Sequence, residues 1–225
     1  MNAKLSFPKF SQYPYYERIE KALASSINSI YIDVDVAADV NIDDVCVNVL
    51  THKQNYIEIF IADNDFKNIA FLVNPSSDEL SITVLFENEH SLIDTPIDIN
   101  VVLPKRIFTT LSINSRIANI FIDEFVYAKK INIEGKSCNV LSLASFSNIT
   151  INNVNGNIRI ETKLVTDTLV NISSENADIY AHIKNIRTFK VLLFNFPKVK
   201  NSSLLGGDYS ISGSISSRNG FVKFC

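Results

Sequence analysis

The sequence has few cysteines, glycines and prolines. Its three cysteines (Cys46, Cys138 and Cys225) are an odd number and lie far apart, which excludes a disulfide framework and a cysteine-based metal site. Only six glycines and six prolines are available for turns, so asparagine and serine must form many of them. With 225 residues, of which 46% are hydrophobic and 10% aromatic, the chain can still bury a sizeable core.

Long apolar runs are also lacking. The longest, residues 57–62 and 69–73, are far shorter than the roughly 20 residues of a membrane-spanning helix. Residues 1–10 lack the charged region and apolar run of a secretory signal. We therefore expect a cytoplasmic protein with no transmembrane segment.

Motifs for catalysis, cofactors and metals are missing as well. His52, His90 and His182 have no histidine or carboxylate at metal-ligand spacing and no nucleophile motif. The segment 63–65 begins like a calcium loop but lacks the required glycine and glutamate. Phosphate loops, dinucleotide fingerprints and basic aromatic patches are absent. We expect no catalytic, cofactor-binding or metal site, no enzyme activity and no nucleic-acid partner.

Two pairs of acidic residues are the nearest approach to a catalytic constellation. Asp33 and Asp35 would share one face of a strand, which suits a carboxylate dyad, and Asp43 is followed directly by Asp44. Because Asp33 and Asp35 alternate with apolar residues, we favour a solvated strand face over a dyad.

What the sequence does contain is a repeat. One pattern recurs four times in residues 111–183, with anchors spaced 20, 18 and 21 residues apart. The anchors are Asn119, Asn139, Asn157 and Asp178. A small residue precedes each anchor, a β-branched apolar residue follows it, and an isoleucine lies six residues before it.

The repeat predicts a parallel β-solenoid with coils of about 20 residues and two short strands per coil. The isoleucines six residues before the anchors should stack as one buried column: Ile113, Ile133, Ile151 and Ile172. The residues after the anchors should form the facing column: Ile120, Val140, Ile158 and Ile179. The second unit has Ser142 where the others have Ile122, Ile160 and Ala181, so we expect a thinner core or a register adjustment there.

The two connections in each unit differ in length. The arc from the core isoleucine to the anchor is constant, whereas the return to the next unit takes 8, 6 or 9 residues. We expect the anchors to stack as a structural ladder at the constant corner, since asparagine tolerates turn conformations and stacked amides bond to one another. A stripe that binds a cation or polar ligand is the alternative.

Outside the regular units, strands are predicted for residues 29–36, 45–50, 56–61, 69–73, 80–86 and 97–103. Residues 38–42 resemble a degenerate anchor, and residues 209–224 a last, imperfect unit. Residues 16–26 have the spacing of a short amphipathic helix, which we expect to cap the solenoid. The predicted organisation is thus an N-terminal segment with a capping helix (1–26) and one repeat domain (27–225).

Several of these segments together resemble a bacterial family of unknown function labelled "putative adhesin" or β-strand repeat domain. The resemblance rests on residues 38–42, on Val102-Leu103-Pro104, and on units such as Val154-Asn155-Gly156-Asn157-Ile158. It implies a β-solenoid and association with the cell envelope, but no known activity. Only one unit keeps the family's glycine, at Gly156.

The charge is unevenly distributed. Residues 1–112 carry 8 basic and 16 acidic side chains, and residues 113–225 carry 13 and 8. Halves of opposite net charge favour end-to-end contacts between molecules.

Together, these features predict a non-catalytic structural or interaction module with a protein partner or self-association. The alternatives are a self-assembling solenoid scaffold and a carbohydrate-binding or carbohydrate-active β-helix.

Overall fold

The computed structural model describes residues 16–35, 45–53, 56–62, 69–86, 97–194 and 205–224. All regular secondary structure in these ranges is β-strand, as the alternating sequence predicts. The first eight strands are β1 (Tyr16–Ala22), β2 (Ser29–Asp35), β3 (Val45–His52), β4 (Tyr56–Ala62), β5 (Ile69–Pro75), β6 (Glu79–Phe86), β7 (Ile97–Pro104) and β8 (Ile107–Ile122). The next eight are β9 (Tyr127–Ser142), β10 (Ser145–Asn155), β11 (Ile158–Lys163), β12 (Thr168–Asn176), β13 (Ile179–Lys184), β14 (Ile186–Phe194), β15 (Leu205–Ser217) and β16 (Val222–Phe224).

These strands join into one large, mostly parallel sheet. Its hydrogen bonds follow two rows that share β8 and β9, because each of these long strands passes through both. The first row runs β5–β6–β2–β8–β9–β10–β12–β15–β14. The second row runs β1–β4–β7–β3–β8–β9–β11–β13–β16. Antiparallel pairing among the described strands occurs only where β1, β4 and β5 join.

Both predicted columns of apolar residues are confirmed. In the first row, Ile113 pairs with Ile133, Ile133 with Ile151, and Ile151 with Ile172, and all four are at most 1% exposed. In the second row, Val140 lies between Ile120 and Ile158, and Ile158 pairs with Ile179. All of these side chains belong to a single core, and fully burying each one is worth about 1.5–3 kcal/mol.

The last unit repeats the constant arc. Ile215 pairs with Ile172 and Val222 with Ile179, so the second core position follows the first by seven positions here as in the four regular units. This confirms the interpretation of residues 209–224 as a final unit. The return connection that leads into this last unit is much longer, since β14 lies between β13 and β15 in the sequence.

Strand order departs from chain order near both ends of the sheet. The pair β2 and β3 lies between β8 on one side and β6 and β7 on the other, although β6 and β7 come later in the chain. Likewise β15 lies between β12 and β14. The link from β7 to β8 therefore passes β3, and the Lys105 N–H donates to the His52 carbonyl (2.9 Å) at this crossing.

The predicted capping helix over residues 16–26 is wrong. Residues 16–22 form β1, and every one of them pairs with β4 in antiparallel register. A helix over residues 16–26 is too short to be stable by itself, and its one favourable pair, Glu17 with Lys21, is worth only about 0.2–0.5 kcal/mol. Pairing in the sheet overrides that local preference. β1 is the outermost strand of its row, so the segment does lie at an end, but as a strand.

Of two further interpretations, one is untested and one is corrected. Residues 38–42, taken as a degenerate anchor, lie outside the described residues, and Cys46 is the residue that pairs with Asn119. Ser142 is fully buried and stays in register between Ile122 and Ile160, so no register adjustment occurs. The division into residues 1–26 and 27–225 stays a prediction.

Candidate functional site

The constant corner carries the predicted ladder of anchors. The Asn139 amide donates to the Asn119 carbonyl oxygen (2.9 Å), and Asn139 in turn accepts from the Asn157 backbone N–H (2.9 Å). Asn157 accepts from the Asp178 N–H (3.3 Å), and Asp178 from the Phe221 N–H (3.2 Å). Most rungs thus join a side chain to the backbone of the next unit. The anchors satisfy backbone groups, which favours the structural interpretation over a ligand stripe.

A second ladder runs beside the first, two residues before every anchor except Asn119, where Ile117 takes that position. Asn155 donates to the Ser137 hydroxyl (3.3 Å), Asn176 to Asn155 (2.7 Å) and Asn219 to Asn176 (2.6 Å). Sequence reasoning missed this ladder. The constant offset of minus two from the anchors was the available signal.

A buried polar column lies inside the same corner, always two residues after the core isoleucine. Its members are Ser115, Gly135, Asn153, Ser174 and Ser217, paired in register. The Asn153 side chain donates to the Cys138 carbonyl (2.7 Å) and accepts from the Cys138 N–H (3.3 Å). Ser217 donates to the Ala177 carbonyl (2.7 Å). Asn153, Ser174 and Ser217 thus bond backbone groups of a neighbouring unit inside the core. Gly135 has no side chain, and the Ser115 hydroxyl is buried without a hydrogen-bond partner among the described residues.

The outer side of the first row is a face of short polar side chains, which we call the polar face. It consists of the two columns that flank the core isoleucines. One column contains Ser81, Tyr31, Ser112, Asn132, Thr150, Asn171 and Ser214. The other contains Thr83, Asp33, Asn114, Glu134, Asn152, Ser173 and Ser216. All but two of these side chains are uncharged at neutral pH, and most donate as well as accept hydrogen bonds.

Bonds within the polar face link neighbouring strands. Asn132 donates to the Ser112 hydroxyl (3.3 Å), Ser214 to the Asn171 side-chain oxygen (3.3 Å), and Asn114 to Asp33 (2.8 Å). Each link uses only part of the capacity of its groups, since an amide has two donors and an oxygen with two lone pairs. The remainder faces outward and is available to a partner.

A groove of about 430 Å³ opens where the polar face meets the constant corner. We call it the corner groove. It is lined by Asp33, Val34, Asn114, Ser115, Arg116, Glu134, Gly135 and Lys136. Carboxylate and amide oxygens come from Asp33, Asn114 and Glu134, which lie side by side on three strands. Arg116 and Lys136 follow two residues farther along β8 and β9, so two cations border the oxygens.

The charges around this groove act on Tyr31. Partial burial raises the pKa of its phenol, and the negative charge of Asp33 raises it further. Glu134 and Glu79 act in the same direction, while a hydrogen bond from Asn114 opposes them. Tyr31 therefore stays a protonated phenol at neutral pH, able to donate as well as accept at the edge of the groove.

Asp33 is the one member of the proposed acid pairs whose side chain the structure describes. Its partner in the groove is the Asn114 amide, and the next carboxylate along the column, Glu134, lies beyond Asn114. The side chain of Asp35 and residues 43–44 and 63–65 lie outside the described part of the chain.

The histidines are dispersed. His52 lies at the end of β3, His182 is exposed on β13, and His90 lies outside the described residues. His182 borders a second groove of about 400 Å³ at the return corner, together with Glu161, Lys163 and Lys184. Glu161 is already held there by an ion pair with Arg159.

Two kinds of feature are absent from the described residues. They contain no cluster of three histidine, cysteine or acidic side chains placed to hold a metal ion. Nor do they include a helix with the length and apolar character to cross a bilayer.

No protein-family model matches the chain, and no curated protein matches it significantly. Solved structures with a similar strand arrangement include an adhesin-labelled protein from Bacteroides fragilis, with 13% identity and a TM-score of 0.45 over 94% of this chain and 98% of that one. A cell adhesion protein from Clostridium sporogenes has 12% identity and a TM-score of 0.42 over 93% and 99%. A lipid-binding protein, so named, from Parabacteroides distasonis has 12% and 0.40 over 94% and 97%. The first two names agree with the adhesin label of the family that the sequence resembles.

Proposed function

We propose that this chain is a non-catalytic interaction module, built as a parallel β-solenoid, that binds a polysaccharide on its polar face. The observation that carries the proposal is the face itself, with two in-register columns of hydroxyl and amide side chains across β6, β2, β8, β9, β10, β12 and β15. Neighbouring strands repeat these groups at about 4.8 Å. A partner with its own repeating donors and acceptors matches such an array.

A polysaccharide meets that requirement. Its hydroxyl groups donate and accept in the same way as serine, threonine and asparagine. Each exposed contact is weak, because the protein and the sugar both exchange bonds with water. Many contacts along one polymer add up, since after the first contact the others form within the same complex. Long chains should therefore bind much more tightly than single sugars.

The geometry of the acidic residues supports a binding role rather than a catalytic one. Asp33 is hydrogen-bonded to an amide and lies in an open groove lined by other charges. Catalytic carboxylates that act as acids are usually held in apolar surroundings that raise their pKa. An open polar groove does not provide those surroundings.

Binding can be tested on a panel of immobilised polysaccharides with the full chain. Ser173→Arg places a long charged side chain on the polar face, between Asn152 and Ser216, and should weaken binding by about tenfold or more, a loss of about 1.4 kcal/mol or more. His182→Arg adds the same side chain at an exposed position of the second row and should leave binding unchanged. Absence of binding to every polysaccharide, or equal binding by Ser173→Arg, would overturn the proposal. Release of reducing sugar that Asp33→Asn abolishes would make the protein an enzyme instead.

A second candidate function, self-association, is favoured by β14. This strand ends the first row, and only β15 pairs with it among the described strands. Leu192 on β14 is 64% exposed, and unpaired strand edges with apolar side chains invite another chain. If copies assemble through β14, Leu192→Lys should abolish concentration-dependent oligomers in sedimentation velocity. Leu169→Lys, on the internal strand β12, should not. A monomer at all concentrations contradicts this function.

A further inference from the structure

The corner groove has a charge pattern that the rest of the polar face lacks. Arg116 and Lys136 are both exposed, and each lies three residues after a core isoleucine on neighbouring strands. Within the described part of the chain, neither makes an ion pair. Two neighbouring cations without a carboxylate partner form a local positive site that can receive an anion.

The oxygen-rich side of the groove suits a different kind of ligand group, one that donates hydrogen bonds. Asp33, Asn114 and Glu134 present carboxylate and amide oxygens, which accept hydrogen bonds from hydroxyl groups. The same carboxylates repel a ligand that is anionic along its whole length, such as a nucleic acid. A divalent cation is disfavoured by Arg116 and Lys136 on the opposite side. The groove therefore suits a ligand with one localised anion next to several hydroxyls.

We propose that the corner groove binds a carboxylated sugar unit, a glycuronate, within the polysaccharide on the polar face. The carboxylate lies against Arg116 and Lys136, and the ring hydroxyls donate to Asp33, Asn114 and Glu134. This inference rests on the proposed function, because Asp33, Asn114 and Glu134 belong to both the groove and the polar face. It adds selectivity, since the groove prefers an acidic polymer over a neutral one of equal length.

Salt dependence follows from the exposure of both cations. Attraction between exposed charges is screened over about 8 Å at physiological ionic strength. Affinity for an acidic polysaccharide should therefore fall as salt is added. Affinity for a neutral polysaccharide, held by hydroxyl and amide contacts alone, should change little.

Two polysaccharides that differ only in their carboxylates test the contribution of the carboxylate to binding. Polygalacturonate in which most units are methyl-esterified and the free acids are isolated, called the acid form, has the same backbone and hydroxyls as the fully methyl-esterified form. Only the acid form carries anions, and each is localised. Titration of the full chain with both should show tighter binding of the acid form. The double variant Arg116→Gln/Lys136→Gln should lower affinity for the acid form by about tenfold, which corresponds to about 1.4 kcal/mol, and leave the ester form unchanged. Lys163→Gln/Lys184→Gln, in the return-corner groove, is the control and should change neither.

Each result separates this inference from the proposed function. Equal affinity of the wild type for the two forms, or unchanged acid binding in the groove variant, overturns the glycuronate site while polysaccharide binding stands. Ester-form binding that falls together with acid-form binding also overturns it, because the groove would then be a general contact. If Ser173→Arg leaves acid-form binding intact while the groove variant abolishes it, the glycuronate site stands and the extended polar face does not. All four substituted cations are exposed on the surface, so thermal unfolding should confirm that the variants stay folded.

Discussion

The two arcs of each repeating unit are built on different principles. The constant arc, residues 151–160 in the third unit, keeps its length in all four regular units and again in the last one. The return arc, residues 161–169, changes length from unit to unit. Both pass through a bend and both bury apolar residues, so neither shape nor hydrophobicity explains why only one of them is constant.

Hydrogen bonding explains the difference. In the constant arc, side chains recur at fixed positions and bond backbone groups of a neighbouring unit: the anchors bond the following unit and the buried polar side chains the preceding one. An inserted residue would shift all of these bonds at once. The return arc has such bonds too, for example from the Thr162 hydroxyl to the Ala144 carbonyl (2.9 Å), but they do not recur at one position from unit to unit. It also exposes Phe125 and Val165. Its extra residues can extend into solvent at little cost.

The largest effect is expected from the core of the constant arc. Ile151→Ala removes a fully buried side chain that lies between Ile133 and Ile172. The free energy of unfolding should fall by about 2–5 kcal/mol, since stacked neighbours on both sides limit how far the cavity can collapse. Urea unfolding measures the loss, and exposed Asn152→Ala is the control. If Ile151→Ala lost no more free energy of unfolding than Asn152→Ala, the isoleucine column would not be what stabilises the arc.

The next largest effect is expected from the buried amide of the constant corner. Asn153→Leu keeps the branched shape of the side chain but removes the bonds to the Cys138 carbonyl and N–H. Each buried group left without a partner costs about 1–3 kcal/mol. The loss should appear in urea unfolding, with Asn152→Leu on the outer face as the control. Equal losses in the two variants would mean that the hydrogen bonds between Asn153 and the Cys138 backbone are not needed to form the constant corner.

Gly156 tests the backbone of the same corner. It has φ of +98°, and an added Cβ would lie 2.4 Å from the Cys138 carbonyl oxygen. Gly156→Ala should cost about 1–3 kcal/mol through backbone strain. Ala177 occupies the same slot of another unit, so Ala177→Gly is the matched control, with a loss of about 0.5–1 kcal/mol from backbone entropy alone. If Gly156→Ala were as stable as the wild type, the close approach between residue 156 and the Cys138 carbonyl would be contradicted.

These residues also show how far sequence reasoning reaches. The isoleucine columns and the anchor ladder were predictable, because burial imposes a strict period on residue type and the anchors recur at constant offsets. The polar column from Ser115 to Ser217 has an equally strict offset. It was missed because small polar residues after a core position resemble ordinary turn residues.

Long-range pairing accounts for what the sequence could not show. Nothing local indicates that β6 and β7 pass outside β2 and β3, or that β15 inserts between β12 and β14. The capping helix failed for the same reason, since the partner of β1 lies 40 residues away. The corner groove combines Asp33 with residues about 80 to 100 positions later, so only the register brings them together.

A smaller, pH-dependent effect is expected from Cys138. Burial raises the pKa of its thiol, although nearby hydrogen bonds oppose the change. The unfolded chain therefore releases the thiol proton at lower pH than the folded chain, and stability falls as pH rises from about 8.5 toward the folded pKa. The slope can reach about 1.4 kcal/mol per pH unit. Cys138→Ala should lose this dependence, since alanine fills the same slot at Ala118 and Ala177. Parallel stability curves for the two proteins would contradict the assignment.

The smallest effect is expected from the return arc. Inserting Gly-Ser after Val165, which is 47% exposed, lengthens a connection that already varies between units. The entropic cost of a longer loop grows slowly, by about 0.6 kcal/mol for each doubling of its length. The free energy of unfolding should therefore fall by no more than about that amount. The same insertion between Asn155 and Gly156 separates the second ladder from the anchor ladder and displaces Asn157 from Asn139. That variant should lose far more stability in the same urea titration. If both insertions cost the same, the constant length of the first arc would not arise from its bonds between units.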